Sequence, residues 1–250
     1  MKNNFFFNYL IGNIYSKPSS VSEVSSQILY GEKFSIISKS KRWIKIKTNY
    51  DRYTGYIRKK KFTKYFKPTH KIYKLKTQIY KKLNNKFVST NQFLHFASRI
   101  EILTISGNFL KFEKNKWVKK KDVRKINHFE KNFVKLFKSF INTKYLWGGK
   151  SYKGIDCSAL LQIFFYYNNL FFPRDTKDQI KYCKNINKMK YKSGDIIFWK
   201  GHVAICLNSK NLVHAYGPRK KVLIMPIIKT INKIRETARL EVKKITKIKY

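Results

Sequence analysis

Among the three cysteines of this 250-residue chain, Cys157 stands where a thiol could do chemistry. It follows the loop-like stretch Tyr145-Leu-Trp-Gly-Gly-Lys-Ser-Tyr-Lys-Gly-Ile-Asp156, which holds three of the chain's ten glycines. It precedes the apolar run Ser158-Ala-Leu-Leu-Gln-Ile-Phe-Phe-Tyr-Tyr167. The pattern predicts a loop feeding the N-terminus of a buried helix, with the thiol on its first turn. Unpaired N–H groups and the helix dipole favour thiolate there, so a lowered thiol pKa is expected. A reactive cysteine also needs a histidine elsewhere as its base.

Five histidines are present. His70, His95 and His128 fall in segments without a partner pattern and read as surface residues. His202 and His214 fall on consecutive predicted strands, His202-Val-Ala-Ile-Cys-Leu207 and Asn211-Leu-Val-His-Ala215. By itself such a hairpin also fits two satisfied core histidines. Parity favours chemistry. A three-residue turn at Asn208-Ser209-Lys210, with one residue left-handed, sets position 204 opposite 214 and makes the histidines diagonal neighbours on one face. His202 is then placed to abstract the Cys157 proton, with His214 orienting it. Cys183 and Cys206 read as small buried hydrophobes. Four of the six aspartates (Asp156, Asp175, Asp178, Asp195) cluster around this region, which suggests carboxylates kept for a purpose. The cysteines form no disulfide framework or metal pattern, and neither metal nor cofactor is expected.

The elements that must position these groups change character along the chain. Residues 19–66 read as short strands at about ten-residue spacing: Gln27–Tyr30, Phe34–Ile37, Trp43–Lys47 and Gly55–Arg58. Residues 70–125 repeat the theme with Ile72–Leu75, Thr77–Tyr80, Arg99–Ile105, Phe109–Phe112 and Trp117–Lys119. Two tandem small all-β barrels are expected, at 1–67 and 68–126. From 127 to 250 the pattern becomes α+β: a helical stripe over 129–141, the cysteine helix, a helix capped near Asp175 or Thr176, and then antiparallel strands at 194–199, 202–207, 211–215 and 222–225.

Composition bounds the rest. An apolar content of 43% with 16% aromatics excludes a disordered chain. The formal charge of +43 comes almost entirely from lysine, since only nine of the 56 basic residues are arginine. Specific nucleic-acid recognition recruits arginine, and no nucleic-acid motif is present. The charge therefore implies at most nonspecific attraction to polyanions. The run Met1–Gly12 superficially resembles a secretory signal, but Asn8 breaks it and no small-x-small site follows before Lys17-Pro18. A cytoplasmic protein with no membrane span is expected, a secreted or periplasmic one being the alternative.

Taken together, Tyr145-x-Trp-Gly-Gly-x(4)-Gly-x-Asp-Cys-Ser-x-Leu160, Pro173-Arg-Asp, Ser193-Gly-Asp-Ile-Ile-Phe-Trp, His202-Val-Ala-Ile and His214-Ala resemble the NlpC-type, papain-like γ-D-glutamyl peptidases of bacterial cell-wall peptides. Ala159 replaces the glycine often found after Asp-Cys-Ser. The segments Ser26–Glu32 and Asp51–Ile57 resemble the first of the paired bacterial SH3-like barrels of the muropeptide-recycling branch. The resemblance implies a cysteine peptidase that cleaves the γ-D-glutamyl–diamino acid bond of murein peptides, in particular free L-Ala-γ-D-Glu-diaminopimelate peptides. It implies catalytic roles for Cys157, His202 and His214, with Tyr145 helping to stabilise the oxyanion. It also implies a pocket for the substrate amine from Asp156, Ser158 and Tyr53, with Tyr56 as rival to Tyr53 and Thr176 as a weaker member. A secreted endopeptidase acting on intact wall, a non-catalytic wall or polyanion binder, and an acyltransferase on the same site are the alternatives.

Overall fold

The computed structural model describes residues 4–186 and 190–248, and divides into two compact units, Met1–Phe129 and Glu130–Tyr250. The first three residues of the N-terminal apolar run lie outside the described residues.

The first unit opens with six strands: β1 (Asn4–Phe6), β2 (Ile11–Tyr15), β3 (Val24–Leu29), β4 (Lys33–Lys39), β5 (Trp43–Thr48) and β6 (Thr54–Arg58). They form one sheet in the order β1-β4-β5-β6-β2-β3. Strand β5 alternates from Ile44 on, so Ile44, Ile46 and Thr48 are buried while Lys45 and Lys47 are not, and Trp43 before them is buried as well. Phe7, Ile14, Ile28, Phe34, Ile44, Ile46 and Ile57 fill the core beneath it. Strands β1 and β2 were not expected. The N-terminal apolar run is part of this sheet, with Phe5 opposite Phe34.

Eight further strands follow: β7 (His70–Ile72), β8 (Lys76–Leu83), β9 (Lys86–His95), β10 (Arg99–Ile100), β11 (Thr104–Ser106), β12 (Phe109–Glu113), β13 (Lys116–Lys119) and β14 (Val123–Lys125). They make a five-stranded sheet, β11-β12-β13-β8-β9, and a three-stranded one, β10-β7-β14. The long hairpin β8–β9 was missed, although Asn84-Asn85 signals it. Both asparagines adopt positive φ (44° and 62°), the conformation a two-residue hairpin turn needs. His95 lies in β9 and is buried, against the expectation of a surface residue, because both faces of the strand are covered at this end, where Leu94 and Phe96 on the opposite face are buried too. Tyr30 joins the second region's core with Ile72, Ile79 and Leu110. At Gly31 (φ +78°) a Cβ would stand 2.1 Å from the Arg99 carbonyl, so no side chain fits there. Among the described residues the backbone pairing of these two regions gives open strand orders.

The second unit is α+β. Its helices are α1 (Phe133–Lys138), α2 (Cys157–Tyr167), α3 (Thr176–Tyr182) and α4 (Ile227–Ala238). Its short ladder pairs β15 (Lys150–Ser151) with β16 (Gly154–Ile155). Its main sheet joins β17 (Asp195–Trp199), β18 (His202–Cys206), β19 (Asn211–Tyr216), β20 (Lys221–Pro226) and β21 (Lys244–Lys247), all antiparallel, in the order β20-β19-β18-β17-β21. Helix α1 is shorter than the apolar stripe. It starts only where the Asn132 side chain accepts the Lys135 N–H, at 2.9 Å, and Asn142 turns left-handed soon after it (φ 65°). All eleven residues of α2 are buried, so the helix has no solvent face and is held between α1 and strands β18 and β19. Helix α4 and strand β21 were not foreseen. Ile227 and Ile234 of α4 are buried in the core formed with Trp199, Ala204 and Leu212. Among the described residues no helix is long and apolar enough to cross a membrane.

Candidate active site

The loop before α2 is tied back on itself. Leu146 N–H donates to the Ile155 carbonyl (3.3 Å) and Gly149 N–H to the Leu146 carbonyl (2.9 Å). A Cβ on Gly149 would come within 2.5 Å of the Gly154 carbonyl, and Gly148 adopts φ +71°, so the glycine pair is required by both space and conformation. The loop leaves Trp147 58% exposed.

Asp156 caps α2. Its Oδ1 accepts from Ala159 N–H at 2.8 Å and from the Ser158 hydroxyl at 3.1 Å, and its Oδ2 accepts from Gly148 N–H at 3.0 Å. Arg174 completes the set as a buried fork. One guanidinium nitrogen meets Oδ2 at 2.6 Å, and the other reaches Oδ1 at 3.1 Å and the Ser158 hydroxyl at 2.9 Å. The Asp156 lone pairs are thus committed and its charge is matched by Arg174. Sequence reasoning noted Pro173-Arg-Asp only as a motif and missed this partner. Gln179, fully buried on α3, donates to the carbonyls of Ser158 and Pro173 at 2.9 Å each and so locks α3 onto the start of α2.

Cys157 lies on the first turn of α2 and is 4% exposed. Its sulfur accepts a backbone hydrogen bond from Val203 and one from the Thr176 hydroxyl. Its Sγ lies 3.9 Å from the Gly201 carbonyl. The expected depression of its pKa is not found. Burial first, and the neighbouring Asp156 carboxylate second, push the thiol up to about 11. Thr176, the weaker candidate for the amine pocket, also donates to the sulfur of the nucleophile candidate. Asp175 beside it is half-buried, makes no side-chain cap to α3, and has its carboxyl pKa raised, chiefly by burial.

Two of the residues that touch the sulfur, 201 and 203, flank His202. Strands β18 and β19 pair Ile205 with Val213 and Cys206 with Leu212, the register in which 204 opposes 214. His202 Nε2 lies 2.9 Å from His214 Nδ1. No residue of the 208–210 turn adopts positive φ, so the expected left-handed residue is absent. The Asn208 carboxamide takes over, accepting the N–H groups of Lys210 and Asn211 at 2.8 Å each. Burial holds His202 down to about 4, and holds His214 well below the usual range with the help of its neighbour His202. Tyr216, also unforeseen, stacks on His214 with ring centres 4.6 Å apart and planes at 10°.

Tyr145 enters from the loop, its N–H donating to the Lys220 carbonyl at 2.8 Å. Its hydroxyl pKa is raised, first by burial and then by the charges of Cys157 and Asp156. Tyr145, Asp156, Cys157, Ser158, Thr176, His202 and His214 are therefore gathered in one unit. Tyr53 belongs to the other, where its hydroxyl donates to the Ser25 carbonyl at 3.4 Å. Tyr56, its rival, pairs with Tyr15 and carries Lys45 over its ring at 5.6 Å. Among the described residues no group of three or more His, Cys, Asp or Glu is placed to hold a metal ion.

Residues 142–238 match the NlpC/P60 family and residues 10–63 the bacterial SH3 domain. The chain is 26% identical over 234 residues to dipeptidyl-peptidase 6 of Lysinibacillus sphaericus, a match spanning 82% of this chain and 85% of that protein. It is 24% identical over 234 residues to the gamma-D-glutamyl-L-lysine dipeptidyl-peptidase of Bacillus subtilis, spanning 83% and 77%. An NlpC/P60 family protein from Bacillus cereus, solved by crystallography, shares the fold with a TM-score of 0.82 at 18% identity, over 98% of this chain and 99% of that one. Residues 142–238 thus form an NlpC/P60 domain, a bacterial SH3 domain precedes it at residues 10–63, and the chain is a peptidase.

Proposed function

We propose that the chain hydrolyses the γ-D-glutamyl–diamino acid bond of murein peptides, acting on small peptides with a free N-terminal L-Ala, and that it does so in cytoplasmic recycling. The carrying observation is the Cys157–His202–His214 arrangement at the mouth of α2, together with the names of the two relatives. In this reading the thiol proton passes to His202 as the sulfur attacks the γ-carbonyl. The resulting oxyanion is met by the Cys157 backbone N–H, which an α-helix leaves unpaired, and by the Tyr145 hydroxyl. Protonated His202 then donates to the leaving amine of the diamino acid. Water, deprotonated by the same imidazole, releases the acyl group.

The amine of L-Ala is assigned to the carboxylate side of the site, formed by Asp156, Ser158 and Thr176. Asp156 acts there from inside its pairing with Arg174. Asp175, whose carboxyl makes no helix cap, supplies the further negative charge. A pocket built to pair an ammonium rejects peptides that lack one, because its polar groups are then left unsatisfied.

The test is hydrolysis of L-Ala-γ-D-Glu-diaminopimelate, its L-lysine counterpart and their N-acetylated analogues, alongside intact peptidoglycan. Cleavage confined to the free-amine peptides is expected. Equal turnover of acetylated peptide or of intact wall would overturn the recycling assignment in favour of an endopeptidase on polymer.

A further inference from the structure

His214 is gripped at both ring nitrogens, and the far grip decides where the protons of the histidine pair reside. Its Nδ1 faces His202 Nε2 at 2.9 Å, and its Nε2 faces the Met225 sulfur at 3.4 Å. Met225 comes from β20, whose register sets His214 opposite Leu223 and Leu212 opposite Met225, so the thioether reaches His214 along the diagonal. Tyr216 stacks flat on the His214 ring and keeps it from turning away. Burial keeps both imidazoles neutral at physiological pH.

Two neutral imidazoles share a single proton across their contact, which leaves two arrangements. In the first, His202 Nε2–H donates to His214 Nδ1, and His214 Nε2–H donates to the Met225 sulfur. In the second, His214 Nδ1–H donates to His202 Nε2, and the bare His214 Nε2 faces the sulfur lone pairs with no proton between them. A thioether accepts and cannot donate, so only the first satisfies every group. The two also differ at the far end of His202. The first leaves Nδ1, the ring nitrogen nearest the backbone of residues 201–203, bare. The second puts a proton on it, and a protonated Nδ1 cannot take another from a thiol.

We propose that Met225 is a positioning residue whose thioether holds the proton on His214 Nε2, and thereby keeps His202 Nδ1 free to receive the Cys157 proton. When that proton moves, the S–H bond breaks, the Nδ1–H bond forms, and the imidazolium still donates through Nε2 to His214. The catalytic consequence rests on the peptidase reading above. The proton placement does not.

The experiment uses the full chain labelled with ¹⁵N, in which long-range ¹⁵N–¹H correlations distinguish protonated from bare ring nitrogens. The wild-type protein should show His202 and His214 both protonated at Nε2 and bare at Nδ1. Met225→Leu keeps the apolar bulk but removes the acceptor. It should give a mixed His214 tautomer and lower kcat/KM by about 3- to 10-fold, mostly in kcat, the range expected for one modest hydrogen bond. Met225→Gln, whose carboxamide oxygen accepts, should restore both readings. A wild-type His214 protonated at Nδ1, or a Met225→Leu spectrum unchanged from wild type, would overturn the proposal. Absence of peptide turnover alongside the expected spectra would refute the peptidase reading and leave the role of Met225 standing. If Met225→Leu fails to fold, the wild-type spectrum alone still decides where the proton is.

Discussion

At Cys157 two electrostatic effects oppose each other, and their sizes decide the outcome. A helix start stabilises an anion by about 0.3–1 kcal/mol. Raising a thiol from 9.0 to about 11 corresponds to about 3 kcal/mol against the thiolate. Burial wins, so the resting pair is neutral thiol and neutral imidazole. Cys157→Ala should abolish peptide hydrolysis while leaving the circular dichroism unchanged, and retained turnover would remove Cys157 from the mechanism. The same burial makes stability depend on pH. His202 is protonated in the unfolded chain below its usual 6.5 but resists protonation in the fold until about 4, so stability is lost as pH falls through that window. Cys157 ionises in the unfolded chain above 9.0 and in the fold only near 11, so stability is lost again as pH rises between them. Denaturant titrations should place the maximum between roughly 6.5 and 9, and the acid limb should shrink in His202→Gln. Arg174→Ala leaves the Asp156 carboxylate buried without its cation and should cost about 3–5 kcal/mol. A loss under 1 kcal/mol, measured by the same titrations, would show that water replaces the guanidinium.

The catalytic candidates come from separate elements, α2 and the β18–β19 hairpin, so each turn is a positioning device. Asn208 holds the three-residue turn that sets His202 diagonal to His214. Asn208→Ala removes an acceptor for two N–H groups and should cost about 1 kcal/mol, while Asn208→Asp should cost less. Amide exchange across β18 and β19 would read this directly. The diagonal pairing of the histidines was legible in the sequence because strand parity depends only on counting. The chemistry of the turn was not, because a side-chain acceptor and a left-handed residue are alternative ways to turn the same three residues. Period-two alternation exposed β5, and the uniformly apolar run exposed α2. Strands β1 and β2, helix α4 and strand β21 were hidden for a different reason. Their apolar residues are interrupted by Asn and Lys, and they acquire a buried face only from the neighbours they pack on. The pKa of Cys157 and the Arg174 fork were beyond the sequence for the same cause, since both depend on what surrounds a residue in space.

On the scale of the whole chain, the SH3-like unit and the peptidase unit each carry their own core. The chain is strongly basic, with a net charge of +43 supplied chiefly by lysine. Exposed lysines attract polyanions over about one Debye length, about 10 Å at 0.1 M salt. Retention on a polyphosphate resin should therefore fall steeply with added salt, whereas cleavage of a small peptide should barely respond. Retention that persists in molar salt would point to a built polyanion site in place of diffuse attraction. The exposure of Trp147 has a further use. Trp43, Trp117 and Trp199 are buried, so an aqueous collisional quencher meets chiefly the one indole on the Tyr145–Gly149 loop. Acrylamide quenching of Cys157→Ala should fall as peptide fills the site, so the chain carries its own fluorescent gauge of occupancy, readable without breaking a bond.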